Sequence, residues 1–325
     1  MAQIAGDNNH GHVLPWPPEG WPRRLTRCSL DNIPRGIALT LVSIVFFVAL
    51  DSLAKTMTQT LPSLQIAWGR YVFSVVLLPF LISPRLLIPA LRTNRLDLQM
   101  ARSVLLVWMT CGFFTAIRHI PLADAVAIGF AAPFITSMLA IPVLGEKVGI
   151  RRWTAIAVGF AGVMIVLRPG FEERHWAYFL PLGVAVGMAT YNVLTRLVNR
   201  YDEASTSMAY NNVAGAVVMS LIVLVLPGQW TPPGPVDWLM LALLGGCAMT
   251  GHYCLIHAFR HAPVSALAPF TYSHMILAMI AGLVVFGEVP DLWTLAGVAV
   301  IAASGLYIFH RKTTLRARAT GRAKT

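Results

Sequence analysis

The sequence predicts an all-α polytopic membrane protein, with ten transmembrane helices arranged as two inverted five-helix repeats. Three observations predict it. Hydrophobic residues are 56% of the 325 and charged residues 12%, at a mean hydropathy of +0.65; a soluble domain carries about twice that charged fraction. Ten apolar runs each approach the roughly 20 residues needed to cross a hydrocarbon core about 30 Å thick. Polar landmarks also recur at an offset of 141 or 142 residues: Arg118, His119 and Pro121 return as Arg260, His261 and Pro263, and Gly145-Glu146 returns as Gly287-Glu288.

Residues 1–33 are expected to form a disordered cytosolic tail. Pro15, Pro17, Pro18 and Pro22 break it up, and Trp16, Trp21, Arg23, Arg24 and Arg27 suit a membrane surface. It lacks the apolar core of a signal peptide. The first repeat, 34–168, contains spans at 36–57, 63–83, 98–118, 121–144 and 150–167. The second, 177–311, contains 177–198, 205–226, 237–259, 263–286 and 290–310, and a basic cytosolic tail of residues 312–325 closes the chain. Pro62, Pro121, Pro227 and Pro263 punctuate span ends, and Gly145 and Gly287 fit helix C-terminal stops. The Pro- and Gly-rich stretch 227–235 reads as an external loop. The fifth and tenth spans are dense in small residues, among them Gly159, Gly162, Gly297 and Gly305, which let helices approach closely in lipid. They read as scaffold, and the same faces are candidates for a homodimer contact.

Basic residues set the orientation. With the N-terminus inside, cytosolic segments hold 20 of the 25 Lys and Arg, while Lys55, Arg118, Arg168 and Arg174 are the four on the other side. That bias places both termini in the cytosol. Five spans per repeat is an odd number, so the second repeat enters from the opposite face, the arrangement that builds a central site between repeats. The net charge of +11 belongs to this topology rather than to a nucleic-acid surface. Cys28, Cys111, Cys247 and Cys254 form no CxxC and no grouping with His, so no metal or other cofactor is expected.

Ionisable groups inside a bilayer are costly and need a partner or a task. Asp51 and Lys55 stand four residues apart on one helical face. Arg70 lies roughly 10 Å below the same edge of the second span, at about 1.5 Å per residue, and the three are expected to form one cluster. Either Arg70 or Lys55 receives an anionic or polar substrate group, with Asp51 balancing charge or taking a proton, or the three form an internal salt bridge. Their repeat counterparts, Asn192, Arg196 and Asn211, lack the acid. His274, near the middle of the ninth span, is a further candidate for substrate contact or proton coupling, against a plain hydrogen bond to a neighbouring helix; His252 is a weaker one. Tyr191, Asn192, Asn211 and Tyr272 put phenol and amide groups at membrane depth, while Trp68, Tyr71, Trp108, Phe113, Phe130, Phe134 and Phe270 offer flat apolar surface. A cavity so lined suits a planar, hydrogen-bonding solute, although an aromatic stripe more often serves packing. Glu146 and Glu288 read as caps of the helices that follow them, and Arg118-His119 and Arg260-His261 as interfacial anchors.

The chain also resembles the drug/metabolite transporter superfamily in its EamA-type branch. The matching features are Leu144-Gly145-Glu146 and Phe286-Gly287-Glu288 ending the two fourth helices, and Trp153 and Trp293 near the starts of the fifth. Gly162 and Gly305 lie near their ends, and Ile120-Pro121-Leu122-Ala123-Asp124-Ala125 leads to Ala132-Pro133. The resemblance covers about 34–311 and implies a ten-helix secondary carrier with a central cavity and no ATP-binding parts. Within that branch the chain is similar to bacterial carriers for riboflavin or S-adenosylmethionine uptake, which implies a bacterial inner (cytoplasmic) membrane. The expected solute is therefore a vitamin or cofactor-like aromatic metabolite such as riboflavin, with S-adenosylmethionine uptake or export of amino acids and other metabolites as alternatives. Proton or counter-solute coupling is a further expectation. An enzyme is not expected, because no HExxH or GxxxxGK[ST] is present. A channel or a membrane scaffold is the alternative from a different class, and a channel more often shows symmetric polar rings.

Overall fold

The computed structural model describes residues 32–81, 92–144, 150–168, 175–198, 201–262 and 264–322, and the elements it defines there are all helical. The tail residues 1–31 with Cys28, the turn residues Gly145 and Glu146, Pro263, Arg174 and the Arg196 side chain lie outside the described residues. The first half contains α1 (Ile33–Met57), α2 (Ser63–Leu81), α3 (Leu96–His119), α4 (Leu122–Gly129), α5 (Ala132–Leu144) and α6 (Ile150–Leu167). After a short 3-10 turn at Trp176–Tyr178 come α7 (Phe179–Val198), α8 (Ala204–Val225), α9 (Pro235–His261), α10 (Val264–Thr271), α11 (Ser273–Phe286) and α12 (Leu292–Arg322). Among the described residues, seven stretches are 18 or more residues long and apolar enough to cross a membrane, and Trp153–Leu167 and Leu292–Tyr307 are shorter apolar helices.

Local chemistry explains the ends. The Asn32 side chain accepts a hydrogen bond from the Arg35 N–H at 3.2 Å, and Pro34 sits in the first turn of α1, where its missing N–H costs nothing. Gly287, at φ 66°, ends α11 in the left-handed conformation that glycine adopts without strain.

Two expectations need correction. The fourth and ninth spans, read as continuous over 121–144 and 263–286, are each two helices. Pro133 has no N–H to offer the Gly129 carbonyl and its ring crowds that position, so α4 stops at Gly129 and α5 restarts at Ala132. In the second half the break falls at Tyr272, where the Ser273 hydroxyl donates to the Phe270 carbonyl at 2.6 Å. Phe130 and Tyr272 are equivalent under the 142-residue offset, so both repeats break at the same place. The last helix also runs through Arg322, past the expected span end at 310.

The repeats interleave rather than sit side by side. α1 packs on α9 and α11, and the repeat-swapped pairs are α7 with α3 and with α5; α2 packs on both α8 and α9, and α8 in turn on α3. α4 lies against α11, and α6 against α12. The main cross-repeat pairs, α1–α9 with α7–α3, α1–α11 with α7–α5 and α2–α9 with α8–α3, are partners under exchange of halves, as a two-fold repeat requires. Gly162 and Gly297 of the fifth and tenth spans meet at the α6–α12 contact, while Gly159 makes room for Phe134 and Gly305 for Tyr272. A Cβ placed on Gly297 would lie 2.8 Å from the Gly162 carbonyl oxygen, closer than real side chains come.

Candidate solute cavity

The two helix breaks meet at the centre of the bundle. The rings of Phe130 and Tyr272 are 5.3 Å apart, and the His274 ring is 6.3 Å from Phe130. Backbone broken at membrane depth is tolerated where protein or a cavity surrounds it. Beside this contact lies a cavity of about 340 Å³, at the lower end of the roughly 300–1,000 Å³ typical of small-molecule sites. Phe47, Leu50 and Asp51 of α1, Arg70 of α2, five residues of α3 from Leu106 to Phe114, and the α4–α5 break line it from the first repeat. Val184, Ala185 and Met188 of α7 and His274 of α11 line it from the second. Apolar surface dominates, and Asp51, Arg70, Thr110 and His274 are the lining side chains that can hydrogen-bond.

Asp51, Lys55 and Arg70 do not form one cluster. Asp51 is buried and its Oδ2 lies 3.2 Å from Nε2 of His274. Lys55, one turn further along α1, donates to Glu288 and, at 2.9 Å, to the carbonyl of Ile120. Arg70 donates to Thr110 and lies 5.0 Å over the Tyr71 ring, with no carboxylate in ion-pair range among the described residues. The reason is packing: α11 runs beside α1, so His274 and Glu288 reach Asp51 and Lys55 more directly than those two reach each other.

Glu288 was expected to cap the helix that follows it. Instead its Oε2 accepts from the Leu122 N–H at 3.0 Å, at the start of α4 in the other repeat, where a carboxylate meets the positive helix end. Two further ties join the repeats at this end, the one away from the termini. The buried Asp124 accepts from Tyr178 Oη at 2.8 Å and from Thr294 Oγ1 at 2.7 Å. Arg168 pairs with Asp291. Although partial burial opposes its ionisation, this guanidinium and the Thr294 N–H hold the Asp291 carboxyl below the usual carboxylate range.

At the terminus end a different set ties the repeats. Asp202, in the loop before α8, accepts from Thr93, from the Asn94 N–H at 2.9 Å and from Gln99 Nε2 at 2.9 Å. Those donors outweigh desolvation and hold its carboxyl below the usual range. Further in, Tyr191 Oη accepts from Arg102 Nη2 at 2.7 Å and from Asn211 Nδ2 at 2.8 Å, while Asn211 Oδ1 is 3.4 Å from Ser103. Tyr191 and Asn211 thus lie below the cavity rather than in its wall. Asn192 donates to Thr136 of α5 at 3.5 Å, and Tyr272 fills the space left open by Gly305, where a Cβ would overlap its hydroxyl.

Of the aromatic residues named from the sequence, Phe113 and Phe130 line the cavity, Tyr71 and Phe134 are core, and Trp108 is 52% exposed on the outer surface. Reading the sequence missed Thr110, Phe47, Asp124 and Arg102 as parts of the site or its closures. Arg102, one of the 20 basic residues assigned to cytosolic segments although it falls within the span expected over 98–118, lies inside α3 and is buried. A larger hollow of about 500 Å³ sits at the surface of the far end, bordered by Gln59, Ser63, Arg118 and His119. It has the position of a vestibule rather than of a binding chamber.

The chain matches the model of the EamA-like transporter family twice, over residues 34–168 and 175–309. An S-adenosylmethionine uptake transporter of Rickettsia bellii is 27% identical over 283 residues, covering 87% of this chain and 96% of that protein. A riboflavin transporter of Vibrio cholerae is 29% identical over 262 residues, covering 79% and 87%. A pseudopaline exporter of Pseudomonas aeruginosa is 24% identical, covering 87% and 99%. A solved crystal structure shares the fold at a TM-score of 0.60 with 16% identity, over 85% of this chain and 98% of that one.

Proposed function

This chain belongs to the EamA-like transporter family, and we propose that it carries a planar, hydrogen-bonding metabolite through the bacterial inner membrane by alternating access. It is a multi-span transporter of small metabolites. The solute class, the coupling and the orientation are this reading's own. Residues 34–168 and 177–311 act as the two repeats, both termini face the cytosol, and no step of chemistry is performed on the solute.

One observation carries the reading: the two repeat-equivalent helix breaks converge on a cavity whose lining mixes aromatic rings with Asp51, Arg70, Thr110 and His274. Flat apolar walls favour a ring system, and the few polar groups fix its orientation. A vitamin or cofactor-like aromatic solute such as riboflavin fits this lining, and the riboflavin transporters among the relatives support it. S-adenosylmethionine is the second reading, favoured by relatives of that name that match 87% of this chain.

Asp51 and His274 give the carrier a proton site. They belong to different repeats and share one hydrogen bond inside the cavity, so a proton exchanged there alters the attraction between the halves. The ties around Lys55–Glu288 and around Asp202 then serve as the two closures, released in turn. Purified protein in liposomes should accumulate labelled riboflavin or S-adenosylmethionine faster under an imposed pH gradient. Asp51→Asn and His274→Ala should abolish that dependence. A rate indifferent to pH and to both substitutions removes proton coupling. Failure of both solutes to enter, and of auxotrophic hosts to be rescued by them, removes the solute class.

A further inference from the structure

We infer that Arg102, Tyr191 and Asn211 form a second station for the solute, on the terminus side of the cavity, and that the solute carries an acidic group, a carboxylate or a phosphate. This rests on the transporter reading and narrows its substrate to an acid-bearing solute, such as S-adenosylmethionine or a phosphorylated flavin, in place of riboflavin itself.

Arg102 is 3% exposed, and its Nε and Nη1 have no hydrogen-bond partner. Its guanidinium lies 4.7 Å over the Tyr191 ring, and only Nη2 is used, on the Tyr191 hydroxyl. An arginine stays charged in any protein setting, and a buried charge without a counter-ion is costly. Of the carboxylates at this end, Asp202 gives its oxygens to Thr93, Asn94 and Gln99 and Asp97 pairs with Arg95, and among the described residues none forms an ion pair with Arg102. Tyr191 Oη already accepts two hydrogen bonds, so its own hydrogen is left to donate. The cluster thus presents N–H and O–H donors toward nothing that accepts them, which is the chemistry of an anion site.

Its position suits passage. Arg102 is one helical turn from the cavity residue Leu106, and Tyr191 is one turn from Met188. Arg70, a cavity guanidinium with no carboxylate in ion-pair range among the described residues, holds Thr110 two turns above Arg102, about 12 Å away along α3. A solute acid can therefore leave Arg70 and meet Arg102 when the terminus end opens. The competing account is structural: Gln99 Oε1 is also buried without a partner, and a water between it and Arg102 would satisfy both.

The test uses the full chain in nanodiscs and three solute pairs that differ by one acidic group: riboflavin 5′-phosphate and riboflavin, S-adenosylmethionine and its decarboxylated form, tryptophan and tryptamine. The tightest-binding solute should be the acid-bearing member of its pair. Arg102→Gln should cut its preference over the acid-free member at least tenfold, and Arg102→Lys should restore part of it. A ratio between paired solutes does not move if Arg102 only holds helices together. The inference is overturned if an acid-free member binds best, if Arg102→Gln keeps the ratio, or if none of the six binds. Transport of an acid-free member alone in liposomes would leave the carrier reading standing while this one falls.

Discussion

Glu288→Gln should unlatch the end of the bundle away from the termini. The Lys55 side chain is 8% exposed and that of Glu288 is 24%, so the substitution strands a nearly buried ammonium. Removing one partner from a fully buried ion pair costs about 3–5 kcal/mol; the partial exposure of Glu288 roughly halves this, to about 2 kcal/mol. Glutamine keeps an oxygen for the Leu122 N–H, so the cap on α4 survives and the loss is mainly one of charge. At 1.4 kcal/mol per tenfold, about 2 kcal/mol moves the closed-to-open ratio about 30-fold toward open. The assay is the rate at which an impermeant maleimide, added on the side where α1 ends, labels Phe113→Cys in a chain whose native cysteines are replaced. Lys55→Met in the Glu288→Gln background removes the stranded charge, so the double variant should label more slowly than Glu288→Gln alone. An unchanged labelling rate in well-inserted Glu288→Gln protein would refute the idea that this pair holds the end shut.

Other outcomes follow from single contacts. Arg70→Ala should abolish uptake with normal membrane insertion, and Arg70→Lys should retain part of it; low expression of both variants would point to a structural role. Gly297→Ala should lower the melting temperature, because its Cβ meets the Gly162 carbonyl and overpacking costs about 1–3 kcal/mol. Asp202 has its carboxyl held below the usual range in the folded chain, so its contribution is present at neutral pH and lost as pH falls through that lowered value. The difference in thermal stability between wild type and Asp202→Asn should therefore be clear at pH 7 and shrink in acid. A constant difference across that range would deny the ionised carboxylate its role.

The helical class and the repeat order were legible because both rest on one-dimensional quantities, apolar run length and the offset of landmarks such as Arg118-His119 and Arg260-His261. The break at Phe130 was half-legible, because Pro133 stood inside an otherwise continuous span and a proline at membrane depth signals a lost ladder bond; the break at Tyr272 was not, because Pro269 lies inside α10 and its missing bond falls toward Ser265. Partner choice was not legible. Asp51 and Lys55 share a helical face, but spacing along one helix says nothing of the helix packed against it. Only three-dimensional packing puts His274 and Glu288 beside them. Arg102 was hidden for a related reason. By position it adjoins a basic loop, and only the interleaving of α3 with α7 and α8 shows that Tyr191 and Asn211 enclose it.

The central claim is a chamber between inverted repeats that opens to each side in turn. A single cysteine at Met188, on the cavity wall, tests it most directly when an impermeant thiol reagent is applied to right-side-out and then inside-out membrane vesicles. The account predicts labelling from both sides, with Glu288→Gln raising the rate from the far side and lowering it from the terminus side. Labelling from one side alone, indifferent to Glu288, would contradict it.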